Sequence, residues 1–182
     1  MNYKDIKNKN PYEILEMLGF NEPPFNPFDI ARKLNINVST SLDFDKLQYE
    51  GQISVDNNEE PVIWVNPIKK ETRQRFTLAH ELGHLANDVL PSIDNPIVDK
   101  YETLYRSERF GGIETKANVF AAKLLMPLKH IEDCILEYQK EKELSAKEAI
   151  LLIAGKFEVS RMAAFYRLKN LGIIDKDYTY PF

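Results

Sequence analysis

The spacing of apolar positions switches along the chain from helical to alternating and back. In the first 35 residues, apolar side chains recur in two short helical groups, PYEILEML and PFDIARK, each entered through an asparagine and a proline. Asn10 with Pro11, and Asn26 with Pro27, place a side-chain cap before a residue whose missing N–H costs nothing in a first helical turn. Two short helices are predicted, ended by Gly19 and Asn35. From Ile36 to Val65 the period changes: INVST, GQISV and PVIWV read as strands of a small sheet, the last two joined as a hairpin through DNNEE. Trp64, among Val62, Ile63 and Val65, is expected in the core.

Helical spacing then resumes. A third such pair, Asn66 and Pro67, is expected to start a long helix that Pro91 limits, with Leu78, Leu82, Leu85 and Val89 as its buried stripe. Residues 91–113 have no clear period and read as a long loop. ETKANVFAAKLLMP, residues 114–127, forms a second strong helix that stops by Pro127. Beyond it, SAKE at 145–148 resembles a capping box, Ser160 precedes the helical RMAAFYRLKN, and Gly172 stands where a closing glycine belongs.

Composition narrows the function classes. At 182 residues the chain can bury one sizeable core, and 43% hydrophobic with 29% charged residues is a globular balance. No apolar run has the length of a bilayer crossing, and the opening MNYKDIKNKN is unlike a secretory signal, so a cytoplasmic protein without a membrane partner is expected. The lone Cys134 has no internal partner for a disulfide, in keeping with a reducing compartment. A formal net charge of -4 argues against nucleic acid as the main partner.

Within the long helix, RFTLAHELGHLAND brings His80, Glu81 and His84 together. Residues i and i+4 share a helix face, so His80 and His84 can direct two imidazole nitrogens at one tetrahedral ion. Glu81, about 100° around the helix, can reach a water held by that ion without being a ligand. This is the arrangement that metal-assisted hydrolysis needs: the cation acidifies water and polarises a carbonyl, and the glutamate transfers the proton. The bland alternative is two packed histidines, yet both lie roughly 150° from the leucine stripe. Gly83, costly inside a helix by up to about 1 kcal/mol, suggests a close neighbour.

A third protein ligand has to come from elsewhere. Asn87 and Leu90 stand where a metzincin would carry a glycine and a histidine. His130 has no partner at helical spacing and reads as a surface residue. A carboxylate is therefore expected. Glu114 leads, ahead of Glu102 and Glu108 in the loop, because Ala117, Asn118, Ala121 and Leu125 continue its face and small residues permit close approach to Gly83. Asn118 could then hydrogen-bond a ligand.

With both helices read, the chain resembles the ImmA/IrrE family of zinc metallopeptidases. The resemblance is carried by RFTLAHELGH at 75–84 and ETKANVFAAKLLMP at 114–127, with support from NPFDIARKLNINV and FEVSRMAAFYRLKNLG. It implies that His80, His84 and Glu114 bind one zinc ion and that Glu81 is the catalytic base. It further implies cleavage of a helix-turn-helix (XRE-like) repressor, which derepresses a mobile element, prophage or stress regulon. The rival from another class is a non-catalytic zinc-binding partner of such a regulator, as in a toxin–antitoxin pair. The expected fold is an α+β zincin-like domain of compact gluzincin type: a small, mainly antiparallel sheet packed on the HExxH helix. Residues 1–135 would form the metallopeptidase core, and 136–182 a C-terminal helical region packed on it. Lys116 stands where many relatives carry an acid.

Two weaker expectations remain. Tyr101, Tyr105, Arg106 and Phe110 lie between the ligand helices; Tyr105 or Arg106 could line the cleft and stabilise an oxyanion. Residues 145–172 could imitate a DNA-binding helix-turn-helix through Arg161, Arg167 and Lys169, but packing or substrate docking is the favoured role.

Overall fold

The computed structural model describes residues 1–55, 60–93 and 111–182. Helices α1 (Pro11–Leu18) and α2 (Pro27–Lys33) open the fold after a short 3-10 turn. The Asn10 side chain accepts from the N–H groups of Tyr12 and Glu13, Asn26 from that of Phe28, and both prolines occupy the first helical turn. Gly19 and Asn35 adopt left-handed backbone, φ 71° and 54°.

Strands β1 (Asn37–Ser39), β2 (Gly51–Val55) and β3 (Pro61–Val65) form a sheet of order β1-β3-β2. β2 and β3 pair antiparallel from Gly51 opposite Val65 to Val55 opposite Pro61, as a hairpin requires. β1 pairs with β3 in parallel, Asn37 opposite Val62 through Ser39 opposite Trp64. The expectation of a mainly antiparallel sheet is therefore corrected to one pairing of each sense. The hairpin occupies one edge of β3, so β1 can join only at the other, and the intervening crossover makes the two run the same way.

Asn66 also departs from expectation. It is buried and caps no helix: its amide donates to the carbonyls of Leu47 (3.2 Å) and Tyr49 (2.8 Å), and its oxygen accepts from Ile68 N–H. The chain turns at 66–69, and α3 (Glu71–His84) starts later, without a side-chain cap. The helical path also continues past the expected stop at Pro91. A π-turn, Leu85–Val89, is closed by the Leu90 N–H to Leu85 carbonyl bond and leads into α4 (Leu90–Ile93). Pro91, which has no N–H to give, sits in that last short element.

Four helices complete the described chain: α5 (Gly111–Leu125), α6 (Leu128–Gln139), α7 (Ala146–Lys156) and α8 (Arg161–Asn170). Glycines 111 and 112, read from sequence as loop, open α5. Ser145 and Glu148 form a reciprocal capping box, Ser160 accepts from Ala163 N–H, and Gly172 is left-handed. Leu78, Leu82, Leu85 and Val89 are buried in one apolar core that extends from Tyr3 to Ile174. Trp64 is buried too, donating from its ring N–H to Ser41 O. Among the described residues no helix is long and apolar enough to cross a membrane.

Candidate metal centre

α3 packs against α5, and Gly83 stands at a close contact between them. A Cβ on Gly83 would lie 3.1 Å from Phe120, so the close neighbour foreseen from the sequence is an aromatic ring and not the small residues of α5. Ala117 and Ala121, on the same helix as Phe120, are buried as well. This contact sets α5 so that Glu114, in its first turn, faces both histidines of α3.

His80 Nε2 and His84 Nε2 lie 2.9 Å apart. Glu114 closes the triangle, with Oε2 3.2 Å from His80 Nε2 and Oε1 3.3 Å from His84 Nε2. Donors around a tetrahedral ion with bonds of about 2.1 Å sit about 3.4 Å from each other, so this triangle has nearly the required size.

The outer nitrogens decide what the inner ones can do. His84 Nδ1 is 2.9 Å from an oxygen of Asp88, and His80 Nδ1 is 3.0 Å from Asn118 Oδ1. Both partners are acceptors, so each Nδ1 carries a proton, and each ring when neutral turns a lone pair inward. With these nitrogens and a carboxylate converging on one point, His80, His84 and Glu114 form a group that could hold a metal ion. In the ion-free site electrostatics separate the two rings. Burial and the neighbouring His84 charge hold His80 below the usual histidine range. Burial works against charge on His84 as well, but the Asp88 hydrogen bond and the carboxylates of Glu81, Glu114 and Asp88 outweigh it and push His84 up.

Glu81 is buried, and desolvation raises its carboxyl to about 7, with His84 opposing and Glu114 adding to the rise. Its room comes from β2: a Cβ on Gly51 would meet Thr77 and lie 3.3 Å from Glu81 Oε1. These residues line a cleft of about 360 Å3, with Glu50, Arg73 and Phe76 at its side. Partial burial raises the Glu50 carboxyl, but Arg73 (2.9 Å) and Lys69 (3.3 Å) outweigh it and hold it below the usual carboxylate range.

Of the residues nominated from sequence, His80, Glu81, His84, Glu114 and Asn118 come together around this cleft. Tyr101, Glu102, Tyr105, Arg106, Glu108 and Phe110 lie outside the described residues. His130 is elsewhere, donating from Nε2 to Asn21 O at 2.9 Å and packed edge-on to Phe25. Arg167 is buried, its Nε donating to Met126 O at 3.0 Å, and Lys169 reaches Tyr178 O, so neither is free to grip a phosphate. Sequence reasoning missed two residues. Asp88 had a signal, since it continues the four-residue spacing of His80 and His84; Gly51 had a fainter one, a glycine in a strand, which often marks a close approach.

A peptidase family model, described as the IrrE N-terminal-like domain, matches residues 31–169. The chain belongs to the ImmA/IrrE family. Within this family it is 37% identical over 111 residues to the radiation response metalloprotease IrrE of Deinococcus radiodurans and 35% identical over 111 residues to that of Deinococcus deserti. Each match takes in 60% of this chain but only 31% and 36% of the relative, so this chain corresponds to about a third of those proteins. A solved Mycobacterium tuberculosis transcriptional regulator superposes with a TM-score of 0.56 at 14% identity, over 93% of this chain and 52% of that one. At that identity the likeness is one of fold.

Proposed function

We propose that this chain is a zinc-dependent endopeptidase that cuts a helix-turn-helix repressor at one peptide bond and so relieves repression. The observation that carries the peptidase reading is the pair of inward-facing imidazole nitrogens closed by the Glu114 carboxylate, with a buried acid one residue along. His80, His84 and Glu114 would hold the ion. Zinc supplies Lewis acidity towards a carbonyl oxygen and brings a water molecule towards ionisation near neutral pH. Asp88 and Asn118 keep both rings in the tautomer that leaves Nε2 free for the cation. Glu81 handles the proton: its buried carboxylate, beside the metal donors, would take one from the attacking water and return it to the leaving amine nitrogen.

The repressor as substrate is carried over from the family resemblance. The two Deinococcus relatives, as radiation response metalloproteases, tie a domain of this kind to a stress response. The test is incubation of the zinc-loaded chain with the regulator encoded beside its gene. Two fragments from a single cut are expected, lost with a chelator and lost in Glu81→Gln while the variant keeps its zinc by elemental analysis. A regulator that binds both forms and stays intact with both would sink the peptidase and leave a binding module.

A further inference from the structure

A second groove, of about 490 Å3, adjoins the metal-site cleft and shares Arg73, Phe76 and Asn118 with it. It runs between α3, α5 and α8. Phe76, Val119, Met162 and Tyr166 line it together with Ala122 and Met126. Val119, Met162 and Tyr166 are 45%, 42% and 56% exposed, an apolar face left in water beside a polar cleft. The two nearby cations do not change its character: Arg167 is turned inward to Met126 O, and Arg73 is paired with Glu50.

We propose that this groove is a docking subsite for a bulky apolar stretch of the polypeptide being cut, next to the scissile bond. The proposal rests on the peptidase reading of the adjoining cleft. Continuity selects the occupant: a chain laid across the metal donors and continued past Asn118 enters the groove. Its volume falls within the range of pockets that enclose a ligand of several side chains. Two of the chain's four methionines, Met126 and Met162, line it, and flexible thioethers adapt to varied apolar side chains. On this account α8 selects substrate, and the apolar residues beside a cut site determine which bonds are reached.

The methionine methyls report on it directly. Zinc-loaded Glu81→Gln protein, labelled with 13C at the methionine methyls, is titrated with a capped peptide of alanine, leucine and phenylalanine and with its serine-substituted counterpart. Saturable shifts are expected at Met126 and Met162 with the apolar peptide, none at Met1 or Met17, and none with the serine peptide. Ala122→Trp, which fills the groove, should weaken binding about tenfold, the loss for roughly one buried apolar side chain. Met162→Glu, at an exposed position, makes the same test should the tryptophan variant not fold; in the wild-type background it should raise KM for apolar peptides about tenfold at unchanged kcat and zinc content. Groove methyls that stay still, that move equally with the serine peptide, or that move only as protein concentration rises, would overturn the proposal, the last by assigning the face to a second copy. Failure of the peptidase reading would look different: wild-type protein leaving both the peptides and the neighbouring regulator uncut while the methyl shifts persist.

Discussion

Asp88 holds His84 by one 2.9 Å hydrogen bond, and its loss should be felt first as weaker metal binding. Asp88→Ala is expected to lower zinc affinity about 10–100-fold in a chelator competition, with the fold retained. Unchanged affinity would mean that packing alone orients the ring. Gly51 makes a steric prediction: the methyl of Gly51→Ala would collide with Thr77 and crowd Glu81, so a stability loss of about 1–3 kcal/mol and reduced turnover should appear together. Glu81 makes an electrostatic one, for the metal-free protein. Its folded value of about 7 lies above the ordinary 4.5, so the folded state holds that proton more tightly than the unfolded chain. The associated stability is fully present below about pH 4.5 and is lost as pH rises through about 7. Glu81→Gln should therefore match wild type near pH 4.5 and exceed it by about 2–4 kcal/mol at pH 8 in urea unfolding. A constant difference across that window would contradict the buried, ion-free carboxyl.

Among the elements, the caps show how far local sequence reaches. Asn10, Asn26, Ser145 and Ser160 all bond N–H groups two or three residues ahead, an interaction contained within four positions of chain. Asn66 precedes a proline just as Asn10 and Asn26 do, yet β3 delivers it beside the carbonyls of residues 47 and 49, and those claim its amide. The two kinds of asparagine should behave differently on truncation. Asn10→Ala should cost about 0.5–2 kcal/mol as a lost cap. Asn66→Ala leaves partly buried carbonyls unsatisfied and should cost about 1–3 kcal/mol, with α3 helicity unchanged by circular dichroism. The leucine stripe of α3 was legible because burial follows the helical period, whereas the π-turn before Pro91 was not, since nothing in a hydrophobic pattern separates a π-turn from ordinary helix.

For the molecule as a whole, the metal centre joins α3 to the first turn of α5, so an ion there acts as a cross-link that only the folded chain can make. Chelation should lower the melting temperature by ~5–10 °C, corresponding to a few kcal/mol in a domain of this size. Glu114→Ala should remove most of that difference, and an unchanged melting temperature would argue against a bound ion. Burial of Arg75 against Phe157 O and Glu158, and of Arg167 against Met126 O, ties the C-terminal helices to the same framework. The turn between α7 and α8 therefore serves as support for α3, and the duplex-binding role imagined for 145–172 loses two of its three cations.

By itself the sequence determined the helical and alternating segments, most of the caps, the hairpin and the placement of His80, Glu81 and His84 on one helix. Each depends on residues a few positions apart, where backbone geometry leaves little choice. The sequence could nominate Glu114 and Asn118, but only the tertiary structure decided that α5 brings them within 3.3 Å of the histidines. It alone also decided the parallel pairing of β1, the ring of Phe120 against Gly83, the room that Gly51 leaves for Glu81, and the groove beside α8. These depend on which faces meet across long separations in the chain, and that is settled by packing the entire core at once.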